Sequence, residues 1–230
     1  MQIQEGREMA KAEYVEVYRH SLFYRLCHWS IVITGFILAL TGMQMGGLYG
    51  VRILPDGGVL ATHLAVGMIF GGLWFLMFYY IVVKEWKWFG LQRIPYSIKF
   101  LIAETMAWFG IGPHIEDPRG YDPEKGEYVE KIIPTEVMVW WIYFLLAMLM
   151  GITGLAMYFR AQFAPLYSIA GAIGQFFGTS NGYAVIRAVH RLGMYLFAMV
   201  MFMHVYAVII FNVLGSMITG KRMERVKTKT

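Results

Sequence analysis

Four uninterrupted apolar stretches, each as long as a bilayer is thick, constrain this chain more than any other feature. They run over residues 26–48, 61–83, 136–159 and 183–214. A hydrocarbon core needs about 20 apolar residues of helix, and within it every backbone polar group must be satisfied internally. Each stretch is rich in Leu, Ile, Met and Phe all round rather than along one stripe, the mark of a helix surrounded by lipid or by other helices. The fold class predicted is an all-α integral membrane protein: a four-transmembrane-helix bundle with additional interfacial helices, forming a single domain over residues 1–230. Composition agrees, since 15% of residues are charged where soluble domains carry about 25%.

Lys and Arg are unevenly distributed. Residues 1–25, 84–135 and 215–230 hold 16 of the 20, and the rest are Arg52, Arg160, Arg187 and Arg191. The positive-inside bias predicts a multi-pass protein of the plasma (cell inner) membrane, with both termini and the loop 84–135 cytoplasmic. The same segregation argues against nucleic acid as the reason for the net charge of +5. Residues 1–20 are polar, with Glu5, Glu8, Glu13 and Glu16, and show no apolar core of a cleavable signal peptide. Inside the long loop, residues 93–110 read as an interfacial helix with Trp108 and Phe109 near the headgroups. Residues 114–130 read as a solvated, turn-rich loop. Residues 165–178 are too short to cross and are expected at the outer interface or packed on the outer face.

Histidine carries the chemistry. His28, His63, His190 and His204 fall inside the predicted spans, whereas His20 and His114 lie in polar segments and are expected to be solvated. Ionisable side chains in a membrane face the bundle interior and find a partner. A single such histidine is adequately explained as a hydrogen-bonded packing residue; four at matched depths are not. With the N-terminus inside, His28 lies near the inner face and His63 near the outer face. The fourth helix passes His190 first and His204 fourteen residues later. That is about 21 Å of helix, and the two side chains return to within about 40° of one face. The depths leave one pairing, His63 with His190 outside and His28 with His204 inside. Two imidazoles facing across a bundle core can supply both axial ligands of a b haem, so two haems are expected. A metal transporter would instead gather its ligands at one midplane site.

Gly67 and Gly193, like Gly35, lie within two turns of a ligand, where a porphyrin could approach; helix–helix packing explains them equally well. Arg25, Arg187 and Arg191 lie within a turn of a ligand, where they could meet haem propionates or snorkel to headgroups. Cys27 is the one cysteine, and no CxxCH occurs, so haem would be held without covalent links and the chain carries no iron–sulfur cluster. Cys27 and the GITG run at 151–154 read as packing features. No nucleotide or hydrolase motif is present, so the chain has no visible primary substrate site and must receive electrons from a partner.

YRLCHW at 24–29, THLAVG at 62–67, HRLGMYLFAMVMFMHVY at 190–206 and VLGSMITGK at 213–221 together resemble the cytochrome b (gamma) subunit of membrane-bound formate dehydrogenases and of nickel–iron hydrogenases. The resemblance covers all four helices and implies the same pairing of histidines around two non-covalent b haems. It further implies an iron–sulfur subunit and a large catalytic subunit on the outer face, and a complex that could assemble into a higher oligomer. Electrons would pass inward to a membrane quinone, menaquinone or ubiquinone, reduced near the cytoplasmic face. One departure stands out. Where the formate dehydrogenase members carry an Asn-Ala-Gly-Gln type motif, this chain reads EKIIPTEVMVWW at 130–141. Glu136, Lys131 and Thr135, with the inner ligand His204, become the candidates for quinone contact or proton relay. The same residues also suit a simple helix start, with Thr135 as N-cap and Glu136 in the first turn. Two rival functions stay open: a membrane anchor whose haem is structural, and a haem-free metal or solute transporter.

Overall fold

The computed structural model describes residues 13–227; residues 1–12, part of the segment read as lacking a signal peptide, lie outside the described residues. The elements follow in the order β1 (Tyr14–Tyr18), α1 (Leu22–Met45), α2 (Asp56–Tyr80), a π-helical turn (Ile81–Glu85), α3 (Trp86–Phe89) and α4 (Ile94–Trp108). Then come β2 (Gly120–Asp122), β3 (Glu127–Glu130), α5 (Pro134–Tyr158), α6 (Ala164–Gly174), α7 (Gly182–Ile210), α8 (Leu214–Thr219) and β4 (Lys221–Arg225). The helical stretches that begin at α1, α2, α5 and α7 are long and apolar enough to cross a membrane, which bears out the fold class. Helix ends differ from expectation by a few residues. α7 stops at Ile210 rather than 214 because Asn212 takes a left-handed φ of 49°, after which the chain restarts as α8. α5 begins at Pro134, whose missing N–H costs nothing at a first helical position, so Thr135 lies inside the helix and is not its cap.

The chain divides into two compact units. The helical unit comprises residues 26–84 and 139–210. Its interior is laid out in seven-residue steps, each about 10.5 Å of helix with only ~20° of rotation. Phe70, Trp74 and Ala147 form the central cluster, with Ile31, Leu38, Tyr143, Phe144 and Phe197 against them. A second cluster of Ala156, Ala170 and Ile186 seats α6 against its neighbours, and the Tyr167 hydroxyl donates to the Ala156 carbonyl at 2.8 Å. Residues 165–178 are therefore packed helix, one of the two alternatives expected. The α1–α2 connection is closed by Gln44, whose amide donates to Leu54 O at 2.6 Å and accepts from Ile53 N at 3.0 Å. Outward, Ile33, Phe36, Met68, Phe75 and Phe202 are exposed, as side chains facing lipid must be.

The second unit comprises residues 13–25, 85–138 and 211–227 among those described. β1 pairs antiparallel with β4, from Tyr14 opposite Arg225 to Tyr18 opposite Lys221. These are the three Lys- and Arg-rich segments, gathered in one body as expected for segments on a common face of a membrane. Residues 114–130 are a solvated loop only in part: 114–117 and 123–127 are exposed, but the rest is ordered. β2 and β3 form a hairpin, its turn held by Asp122 Oδ1, which accepts from Glu124 N and Lys125 N at 3.1 and 3.2 Å. Asp122 and Arg119 are buried. The unit is tied by ion pairs, Arg19–Glu224 at 2.5 Å, Lys131–Glu85 at 2.6 Å and Arg93–Glu130 at 2.7 Å. α4 turns Ser97, Phe100 and Ala107 inward and leaves Leu101, Ile102, Met106 and Trp108 exposed, the two-faced pattern of an interfacial helix.

Candidate functional site

His28 stands on α1, His63 on α2, and His190 and His204 on α7. Their rings meet in two pairs. The centroids of His63 and His190 lie 6.5 Å apart with planes at 69°, and those of His28 and His204 lie 6.3 Å apart with planes at 51°. Metal–imidazole bonds of about 2.0–2.1 Å, with ~1.1 Å from nitrogen to ring centre, put the rings of two ligands on one metal roughly 6.3 Å apart. Both pairs therefore stand at a separation that would admit one metal held between two opposed imidazoles. The helical unit brings together the partners that depth alone selects.

The layer between the two pairs is aromatic. Phe70 lies seven residues beyond His63 and Phe197 seven beyond His190, and their rings sit 6.1 Å apart. Gly35 faces Phe70, where an added Cβ would come within 3.3 Å of the ring. Tyr143 continues the layer inward, 5.2 Å from Phe197 and 5.9 Å from His204, centroid to centroid.

The His63–His190 pair has a support that went unnoticed in the sequence. Thr41 on α1 places Oγ1 2.8 Å from His63 Nδ1, and Thr153 on α5 places Oγ1 2.8 Å from His190 Nδ1. Each hydroxyl donates its one proton back to its own helix, Thr41 to Ile37 O at 2.8 Å and Thr153 to Leu149 O at 2.6 Å. A hydroxyl has no second proton to give, so in each pair the Nδ1–H of the histidine is the donor. Nε2 is left as a lone-pair ligand. The glycine following each threonine completes the motif: a Cβ on Gly42 or Gly154 would stand 3.4 Å from Cε1 of His63 or His190. Thr-Gly pairs at 41–42 and 153–154 thus do the same work on two helices. The GITG run, read as packing, supplies one of them. At the His28–His204 pair, His28 Nδ1 is buried and has no hydrogen-bond partner among the described residues. Paired imidazoles at these separations, with Nε2 left free on His63 and His190 and a glycine against each of those two rings, fit a bis-histidine haem.

The remaining candidates fall in other settings. Gly193 packs against Met150, with an added Cβ meeting its sulfur at 2.6 Å, and Gly67 lies near Leu38 at 3.8 Å; both positions serve contacts between helices. Arg191 Nη2 reaches Gly46 O at 3.5 Å, and Arg187 is exposed. Arg25 donates through Nη1 to Ile218 O. Lys131 is buried, bound to Glu85, and its carbonyl accepts from Arg19 Nη2 at 2.7 Å. Burial pushes its ammonium below the ordinary lysine value, and Glu85 partly offsets this. Glu136 lies in the field of Arg19, Arg119 and Arg222, and Thr135 is half-buried beside it. His20 is not simply solvated: its ring stacks on Tyr24 at 5.1 Å. His114 is exposed and pairs with Glu104 at 3.3 Å.

Comparison with known proteins places these observations. A family model described as prokaryotic cytochrome b561 matches residues 19–223, a stretch that holds all four helices and all four paired histidines. No curated protein matches the chain.

Proposed function

The chain belongs to the prokaryotic cytochrome b561 family, haem-binding transmembrane electron-transfer proteins, and on that premise we propose that it is the dihaem cytochrome b subunit and membrane anchor of a respiratory oxidoreductase complex. In this reading it takes electrons from an iron–sulfur subunit at the outer face, itself served by a large catalytic subunit, and delivers them to a membrane quinone. The observation that carries the reading is the pair of imidazole pairs, 6.5 and 6.3 Å between centroids, in two layers of one bundle. Two non-covalent b haems bound there would supply one-electron carriage across the membrane.

The protein's own residues do the rest. His63 and His190 hold the outer iron, His28 and His204 the inner one, and the Phe70–Phe197 layer excludes water between them. Both termini lie in the cytoplasm of a cell whose inner membrane the chain spans. The gathering of the three basic segments in one unit supports the common side, and the positive-inside rule names it. Quinone is reduced at the level of the inner pair. Of the residues suggested for quinone, Lys131 is already engaged with Glu85, which leaves Glu136 and Thr135 the better candidates. The donor is of the formate dehydrogenase or hydrogenase type.

The test is a dithionite-reduced minus oxidised spectrum of the purified chain with a pyridine haemochrome count. Two b haems per chain support the reading. One haem would make one histidine pair structural, and none would sink the dihaem proposal.

A further inference from the structure

The two histidine pairs differ in what stands behind their rings. Both outer histidines give Nδ1–H to a threonine hydroxyl at 2.8 Å, whereas His28 Nδ1 in the inner pair has no acceptor among the described residues. An acceptor behind a ligating imidazole raises its basicity. A more basic axial ligand stabilises ferric over ferrous iron, and axial ligation together with its hydrogen bonding is a principal lever on haem potential.

From this asymmetry we infer that Thr41 and Thr153 are positioning residues that lower the reduction potential of the outer site below that of the inner one, and so bias electrons inward. With haem bound at both sites, each transfer would move one electron, the outer site losing it and the inner site gaining it. No proton moves, because both Thr–His hydrogen bonds persist in either state. The inference rests on the dihaem reading and deepens it.

Thr34 makes a control available. Its hydroxyl bonds Ser30 O at 2.6 Å and Ile31 O at 3.2 Å, the same back-bonding as in Thr41. It too is followed by a glycine, and neither of these hydrogen bonds reaches a histidine. Valine is nearly isosteric with threonine, so Thr→Val at any of these positions keeps shape and removes the hydroxyl.

The experiment is a potentiometric titration of the purified full chain, followed in the haem absorption band, with His63→Ala identifying the outer component. In the parent chain the component lost in His63→Ala is expected to be the one of lower potential. In Thr41→Val/Thr153→Val that component rises, by up to about tenfold in the electron-sharing equilibrium or 59 mV for a one-electron couple, and the other stays. Thr34→Val moves neither, and Thr41→Ser/Thr153→Ser restores the parent value. If the valine double variant loses the outer haem outright, the serine variant decides: retention at the parent potential supports the role of the hydroxyl. The inference is overturned if His63→Ala removes the higher-potential component, if the outer potential stays or falls in the valine variant, if Thr34→Val does the same, or if serine fails to restore. Absence of haem from the parent chain would show before any substitution, and would overturn the dihaem reading rather than this one alone.

Discussion

The helical unit and the polar unit solve burial by opposite means. The first carries its interior on repeats of seven: Gly35 and Gly42 on α1, Phe70 beyond His63 on α2, Ala147 and Gly154 on α5, and Phe197 midway between His190 and His204 on α7. Aromatic rings and small residues interlock, and the polar atoms inside are few and have specific tasks. The second buries charge. Arg19 and Glu224 have side chains 2% and 4% exposed, and Lys131, Arg119 and Asp122 are buried as well. The contrast teaches where each unit is fragile. In the helical unit, removing Thr41 or Thr153 takes away the hydrogen bond behind a paired histidine. In the polar unit the same change strands its partner's charge.

The largest effect should come from His63→Ala. It is expected to abolish the outer haem and leave the inner one, halving the haem count per chain; survival of both would break the pairing. Next comes Glu224→Leu, which leaves Arg19 buried and unpaired. Breaking a buried pair in this way costs about 3–5 kcal/mol, readable by limited proteolysis or hydrogen exchange confined to the polar unit. The haem count should stay at the parent value, and a parallel loss of haem would show that the two units do not fail separately.

A smaller effect is expected in alkali. Burial, helped by Glu224 and opposed by Arg19, pushes the Tyr128 phenol up to about 12. The unfolded chain releases this proton near 10 while the folded chain still holds it, so the contribution is complete below pH 10 and is lost between 10 and about 12. Tyr128→Phe should flatten that part of a stability–pH curve; an unchanged slope would refute the assignment. Last, Arg52→Ala should have no measurable effect on thermal stability, since Arg52 and Asp56 are 78% and 80% exposed at 3.6 Å and such pairs contribute little.

The two units also differ in how far the sequence revealed them. The four spans were legible because apolar runs are a local signal. The histidine pairs were legible because depth along each helix follows from residue count. Thr41 and Thr153 were not, although both stand in plain view. A Thr-Gly pair in an apolar helix is ordinary, and which one faces a histidine depends on the rotation and register of two separate helices. Thr34 shows the difficulty, since it too precedes a glycine and its hydroxyl bonds only backbone carbonyls of its own helix. The polar unit was hidden for a stronger reason. Its sheet joins Tyr14 to Arg225, and its ion pairs join Arg19 to Glu224 and Glu85 to Lys131. Charged residues in turn-rich sequence read as solvated until a distant partner is known, as Asp122 and Arg119 did.

The β1–β4 pairing has a consequence for how the protein is made. β1 leaves the ribosome before the first span, and its partner strand follows only after all four spans have been synthesised. At about 5–20 residues per second the wait is roughly 10–40 s, during which β1 presents an unpaired edge that a chaperone or a neighbouring nascent chain could engage. The closing of this sheet therefore reports that all four spans have been made. A chain interrupted before Lys221 could carry all four ligand-bearing positions and still leave β1 without its strand.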